Sequence, residues 1–252
     1  VEGNTTFYAV PAATTIERWS TQAPMDFRFA FKVPRTVTHE LRLHERAGAD
    51  LRTFLNAIEP LGERVGPVQL QLPPSFGPEQ VATLRRFVRR LPTDHRWVVE
   101  FRHRAFFDGG AVHRSVGDLL AEANVGRVVL DTRPLYADPP RSDAAADEQR
   151  TKPRLPVVTD VMGTDPIVRV IGCDDIEITV EGALAWIPAI VDWLAEGRRP
   201  YVFVHQPENL VSPSLARRLH EAVAQHVPDL APLPSPTPVT PAGEVTGQSQ
   251  LF

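Results

Sequence analysis

The sequence predicts a parallel α/β barrel, on three observations. Short runs of alternating apolar and polar residues recur along the chain with helical patterns between them, the order that gives a parallel sheet covered by helices. Polar residues gather at the C-terminal ends of those runs, where barrel proteins hold their chemistry. The length, 252 residues with 42% hydrophobic content, suits one barrel-sized core.

Successive side chains of a strand point to opposite faces, so each run divides its residues into two sets. Val1 to Phe7 sets Glu2 and Asn4 together. Phe27 to Val33 opposes Phe27, Phe29 and Phe31 to Arg28, Ala30 and Lys32. Val68 to Leu72 alternates Val68, Leu70 and Leu72 with Gln69 and Gln71. In Trp97 to His103, Val98, Glu100 and Arg102 share one face, while Trp97, Val99 and Phe101 share the other. Val128 to Asp131 ends in a carboxylate, Ile167 to Gly172 carries Arg169, and Tyr201 to Gln206 ends in His205 and Gln206.

Helices are predicted near Thr15 to Ser20, Asp50 to Glu59, Pro78 to Leu91, Ser115 to Asn124, Glu181 to Glu196 and Pro213 to His226. Pro78 suits a first turn, and Val81, Leu84, Val88 and Leu91 make a stripe opposite Arg85, Arg86, Arg89 and Arg90. Pro188 should kink or restart the fifth helix, and Ser212 should cap the sixth. Thr132 to Asp165, rich in Pro, Asp and Arg, reads as a long loop where a regular barrel has a helix. The barrel is expected to span residues 1–227, followed by a disordered Pro-rich tail over 228–252.

The formal net charge is −4 and the pI about 6.1, so no global charge advertises nucleic acid or an anionic membrane. Cys173 is the single cysteine, which excludes an internal disulfide and fits a reducing cytoplasm. No run reaches roughly 18 uncharged apolar residues, as a membrane span requires. G-x-G-x-x-G, P-loop and G-x-S-x-G strings are absent, so no nucleotide cofactor or serine nucleophile elbow is expected.

If the strands close into a barrel, Glu2, Asn4, Lys32, Gln71, Glu100, Arg102, Asp131 and Arg169 meet at one mouth. Three cations and three carboxylates suit a polar substrate bearing phosphate or carboxylate, with arginines as clamps and a carboxylate as acid or base. His39, in the loop after Lys32, adds a titratable group. With Glu2, Glu100, Asp131 and His205 it would offer enough N and O atoms for a divalent ion, although no H-e-x-x-H-type spacing supports one.

At these positions the chain resembles the YecE-like family, known as domain of unknown function 72. The resemblance rests on Val1 to Tyr8, Phe27 to Pro34 with Lys32, Thr38-His39, Gly66 to Phe76 with its Q-L-P-P string, Val99 to His103, and Val168 to Val170 before Gly172. It implies a TIM barrel with a pocket, and no established activity. Family members usually begin with a further strand and helix, so seven of eight strands are expected here, through a truncation or a misassigned start. They often carry a histidine where this chain has Ile171.

The ending Gln248 to Phe252 is similar to the peptide by which bacterial repair proteins bind the sliding clamp, with Gln248, Leu251 and Phe252 as anchors. Three readings follow. In the first, an enzyme, a hydrolase or lyase, acts on a phosphate-bearing or sugar-like substrate, with Glu100, Lys32, His39 and Asp131 catalytic. Glu2, Asn4, Tyr8, Gln71, Arg102, Arg169 and His205 then bind the substrate. The second is a metal-dependent, endonuclease-like barrel in DNA repair, tethered to the clamp. The third is a non-catalytic binding or adaptor barrel.

Overall fold

A computed structural model describes residues 1–159 and 161–235. Seven strands form one parallel sheet in chain order: β1 (Glu2–Gly3), β2 (Phe29–Lys32), β3 (Val65–Gln71), β4 (Trp97–Glu100), β5 (Gly126–Asp131), β6 (Ile167–Ile171) and β7 (Tyr201–His205). Helices α1 (Ala13–Gln22), α2 (Ala47–Ile58), α3 (Val81–Val88) and α4 (Ala111–Glu122) follow the first four strands. After them come α5 (Asp143–Thr151), α6 (Ile176–Leu184), α7 (Ile187–Ala195) and α8 (Ser212–Ala224). The result is a nearly closed α/β barrel, and among the described residues no backbone pairing joins β7 back to β1.

The alternation read from the sequence sorts the two faces of the sheet. Phe29, Phe31, Val68, Leu70, Trp97 and Val99 point outward and pack with Phe54, Ile58, Leu84 and Leu119 of α2, α3 and α4. Val129, Val168, Val170 and Val204 do the same beneath α6, α7 and α8. The opposite parity turns Val98, Val128, Ile167, Tyr201 and Phe203 inward as a plug across the lower barrel. Above that plug most inward positions are polar, namely Glu2, Lys32, Gln69, Gln71, Glu100, Arg169 and His205, with Leu130 and Ile171 the apolar pair among them.

The helices differ from expectation where caps and prolines decide their ends. Pro78 opens a 3₁₀ turn (Pro78–Gln80) before α3, whose Leu84, Phe87 and Val88 are buried. The predicted fifth helix is two, and Pro188 lies in the first turn of the second. Ser212 is the first residue of α8 rather than its cap, which is Val211. The segment read as a loop over 132–165 holds α5. Ser142 accepts a hydrogen bond from Ala145 N and starts it, but only Ala145 is buried, so the helix carries no apolar period to betray it.

Two further expectations change. The first run is a strand only over Glu2–Gly3, because the chain turns at Asn4 into a 3₁₀ helix over Thr5–Phe7. Residues 228–235, expected as free tail, lie against the barrel: Leu230 packs on the α6–α8 core and Arg217 Nη2 donates to Pro234 O at 2.8 Å. Ile176–Ala195, with mean hydropathy 1.4, is long and apolar enough by composition to cross a membrane. In the fold its Val180, Ala183, Trp186, Ile190 and Trp193 are core residues.

Candidate functional site

The end of β6 lifts Arg169 into the barrel, and everything else in the mouth is arranged about its guanidinium. The side chain is 2% exposed. Nη1 donates to Glu100 Oε2 at 2.9 Å and Nη2 to Glu2 Oε2 at 3.1 Å, while Nε lies 2.8 Å from Glu2 Oε1. One planar fork therefore holds carboxylates from β1 and β4. Glu100, fully buried, also accepts from Gln69 Nε2 at 2.8 Å and from Arg102 Nε at 2.8 Å. Both its oxygens are engaged. Lys32 Nζ is 3.8 Å from Glu2 Oε1, and His205 Nε2 is 3.2 Å from Glu2 Oε2. The Glu2, Arg169 and His205 contacts bridge β1, β6 and β7 by side chains where the backbone ladder is interrupted.

Electrostatics follow from burial among these partners. Burial alone would raise Glu2, yet Arg169, Lys32 and the His205 hydrogen bond hold its carboxyl well below the usual range. Burial opposes Glu100 likewise, and Arg102, Arg169 and Lys32 overcome it and bring it down to about 2. For Lys32, burial and the nearby Arg169 outweigh Glu2 and Glu100, and its ammonium falls to about 8. Burial also lowers His205, against the Glu2 hydrogen bond, so the ring is neutral at neutral pH. An Nε2–H donated to Glu2 then leaves Nδ1 with a lone pair.

His39 sits on a π-helical turn (Thr36–Glu40), a distortion common at functional sites. Its Nδ1 is 2.9 Å from Thr38 Oγ1, and its ring meets the edge of Phe7 at 5.0 Å. Burial, then Arg102, Arg35 and Arg42, bring it to about 4. Phe7 in turn contacts Tyr8 at 5.2 Å, and Tyr8 is 76% exposed. Asn4 Oδ1 is buried without a partner. Arg102, past the end of β4, stays beside Glu100, and no described residue takes its Nη nitrogens.

Asp131 does not join this group. Its strand position is odd to Val128 and Leu130, so it faces outward, accepting from Trp186 Nε1 at 2.9 Å and from Arg133 Nε and Nη2 at 2.9 and 2.7 Å. The five residues considered as ligands of a divalent ion are not brought together as a set either. Among the described residues no three His, Cys, Asp or Glu side chains come together, because Arg169 stands between Glu2 and Glu100 and Asp131 points away. Glu100, expected as an acid or base, lies between the Arg102 and Arg169 guanidiniums with Gln69 on one of the same oxygens. Two members were missed: Gln69, legible as the inward partner of Gln71 by strand parity, and Lys152, which follows α5 and had no sequence signal. The peptide with Gln248, Leu251 and Phe252 lies outside the described residues.

These shifts set an acid response. Glu100 is lower in the fold than its ordinary 4.5, so the stability it lends is present above that value and lost as pH falls toward about 2. His39 is lowered from 6.5 to about 4, so the unfolded chain takes up its proton first and stability already falls across that interval. Denaturant melts near pH 7, 5 and 3 are expected to give successively lower unfolding free energies, with His39→Asn flattening the first step and the upper part of the second. Equal stability near pH 7 and 3 would contradict the assignment.

Comparison with known proteins supplies the family. The family model described as "Protein of unknown function DUF72" matches residues 1–239. The UPF0759 protein YecE of Escherichia coli strain K12 is 38% identical over 253 aligned residues, covering 100% of this chain and 89% of the relative; the strain O157:H7 protein matches equally. A DUF72 family crystal structure from Enterococcus faecalis V583 superposes with TM-score 0.63 at 15% identity, covering 88% of this chain and 84% of that one. One from Thermotoga maritima MSB8 gives 0.55 at 21% identity, over 86% and 81%. The inward polar ring of Glu2, Lys32, Glu100 and Arg169 thus stands in an α/β barrel of the YecE-like DUF72 family, to which this chain belongs.

Proposed function

We propose that the chain binds a phosphate-bearing or sugar-like polar substrate in the barrel mouth and acts on it by proton transfer, as a hydrolase or lyase. One observation carries the reading: Lys32, Arg102 and Arg169 outnumber Glu2 and Glu100 in a buried mouth, and Lys32 is held at about 8. A group with a pKa near the working pH is the efficient acid or base. In this reading Lys32 and the lone pair of His205 Nδ1 move the proton, and the Nη nitrogens of Arg102 take the anion. Arg169, held between Glu2 and Glu100, and Glu100, held by Arg169, Arg102 and Gln69, fix the frame. Asn4 Oδ1 and Gln71 orient hydroxyls.

The test is a thermal-shift series with sugar phosphates and the matching neutral sugars. A ligand at about 100 times its Kd stabilises the folded state by about 2.7 kcal/mol, a shift of several degrees. The phosphorylated members are expected to raise Tm, and Lys32→Met with Arg102→Met to abolish the effect. Equal shifts from neutral sugars, or shifts that survive both substitutions, would overturn the reading. Binding without turnover of any stabilising compound would favour the non-catalytic alternative.

A further inference from the structure

The segment between β5 and β6 leaves the barrel and returns to it. Thr132, directly after β5, donates from Oγ1 to Pro153 O at 3.1 Å, which fixes residues 152–153 over the C-terminal end of that strand. The return is braced from both sides. Tyr136 Oη approaches Lys152 O at 2.6 Å and Gln149 O at 2.9 Å, and Gln149 Nε2 donates to Leu135 O and Asp138 O at 2.7 and 3.0 Å. At the other end of α5, Ser142 Oγ donates to Asp174 Oδ1 at 2.6 Å, in the loop after β6. The backbone of Lys152 and Pro153 is therefore held at the mouth by Tyr136 and Thr132, while Asp174 of the next loop anchors the start of α5.

Its side chain does something unusual for a lysine. An ammonium on a four-carbon stem ordinarily reaches into water. Here the side chain is only 21% exposed, and after burial itself the charges that press on it are Arg169 and, behind Glu148, Arg102. Against them stands Glu148 Oε2, 3.3 Å from Nζ on the preceding turn of α5. A cation is thus held towards other cations, with one carboxylate offsetting the repulsion.

We propose that Lys152 is a further anion-binding residue of the mouth and that Glu148 occupies its ammonium until a phosphoryl group arrives. The inference rests on the anion-site reading above. The phosphoryl oxygens take the place of Glu148 Oε2, forming an ion pair with Nζ, while Arg102 approaches from β4. No bond in the substrate is broken by this exchange. Residue 152 then distinguishes anionic from neutral ligands, since an uncharged hydroxyl gains little from displacing a carboxylate.

Calorimetric titration with inorganic phosphate at low ionic strength tests it on the intact chain. Lys152→Met is expected to weaken phosphate about tenfold, the order of one charge-assisted contact. Glu148→Gln, which removes the competitor, is expected to tighten it by roughly threefold. In the double variant the Glu148 effect should vanish, because it acts only through Lys152. Thermal melts confirm that each variant folds. Phosphate affinity that depends on Lys32 yet is unchanged in Lys152→Met would overturn this inference alone. Wild-type affinity that is absent, or indifferent to Lys32→Met, would overturn the anion site itself. Weakening by Glu148→Gln equal to that by Lys152→Met would mean that the pair only shapes α5, and would also overturn the inference.

Discussion

Arg169→Met is expected to lower the unfolding free energy by about 3–5 kcal/mol, because it leaves two buried carboxylates facing each other without their shared cation. For a chain of this size that is roughly a ten-degree fall in Tm. The cost comes from Glu2 and Glu100, which remain buried, and the methionine fills much of the lost volume. Adding Glu100→Gln should therefore restore part of the loss, so that the two substitutions are not additive. Arg169→Lys keeps the charge but cannot fork to both carboxylates, and should fall between wild type and Arg169→Met. Urea denaturation of the four proteins measures these differences. A loss below about 1 kcal/mol for Arg169→Met would show that the network does not hold the mouth together.

Asp131→Ala is expected to cost about 2–4 kcal/mol of stability and to leave anion binding intact, for Asp131 is buried on the outer face of the sheet. Its loss strands the Trp186 indole N–H within the α6–α7 layer and frees Arg133, whose Nε, Nη2 and backbone N all donate to the carboxylate. Denaturant melts and phosphate titration of the same sample separate the two properties. Preserved stability with lost binding would place the side chain in the mouth after all.

The contrast between Asp131 and Glu100 says how much was legible in the sequence. Both end a strand-like run in a carboxylate, and period two alone assigns Glu100 inward with Val98 and Arg102. Asp131 lies on the Val129 side, so the same rule applied from Val128 turns it outward, whatever its place at the end of the strand. Lys32, Arg169 and His205 were readable because each follows apolar residues in an unbroken alternation. Asn4 was named as well, but as a strand residue, whereas the chain leaves the strand at Gly3, whose missing side chain lets Phe31 pack within 2.9 Å of where a Cβ would stand. Lys152 lay beyond reach: α5 buries one alanine, so neither the helix nor the direction in which it delivers that lysine leaves a periodic trace. The roles of the carboxylates depend on three-dimensional company. Nothing in the sequence says that Arg102, Gln69 and Arg169 will fill both oxygens of Glu100.

The central claim is that the mouth gathers cations in order to receive an anion, and Lys32 reports on it directly. Protein labelled with ¹³C at lysine Cε, with the resonance assigned through Lys32→Arg, allows its titration to be followed by NMR with and without inorganic phosphate. Lys32 should titrate at about 8 in the free protein and move upward when phosphate is added, since an anion favours the ammonium. A lysine that titrates near its ordinary 10.5 and ignores phosphate would contradict the account.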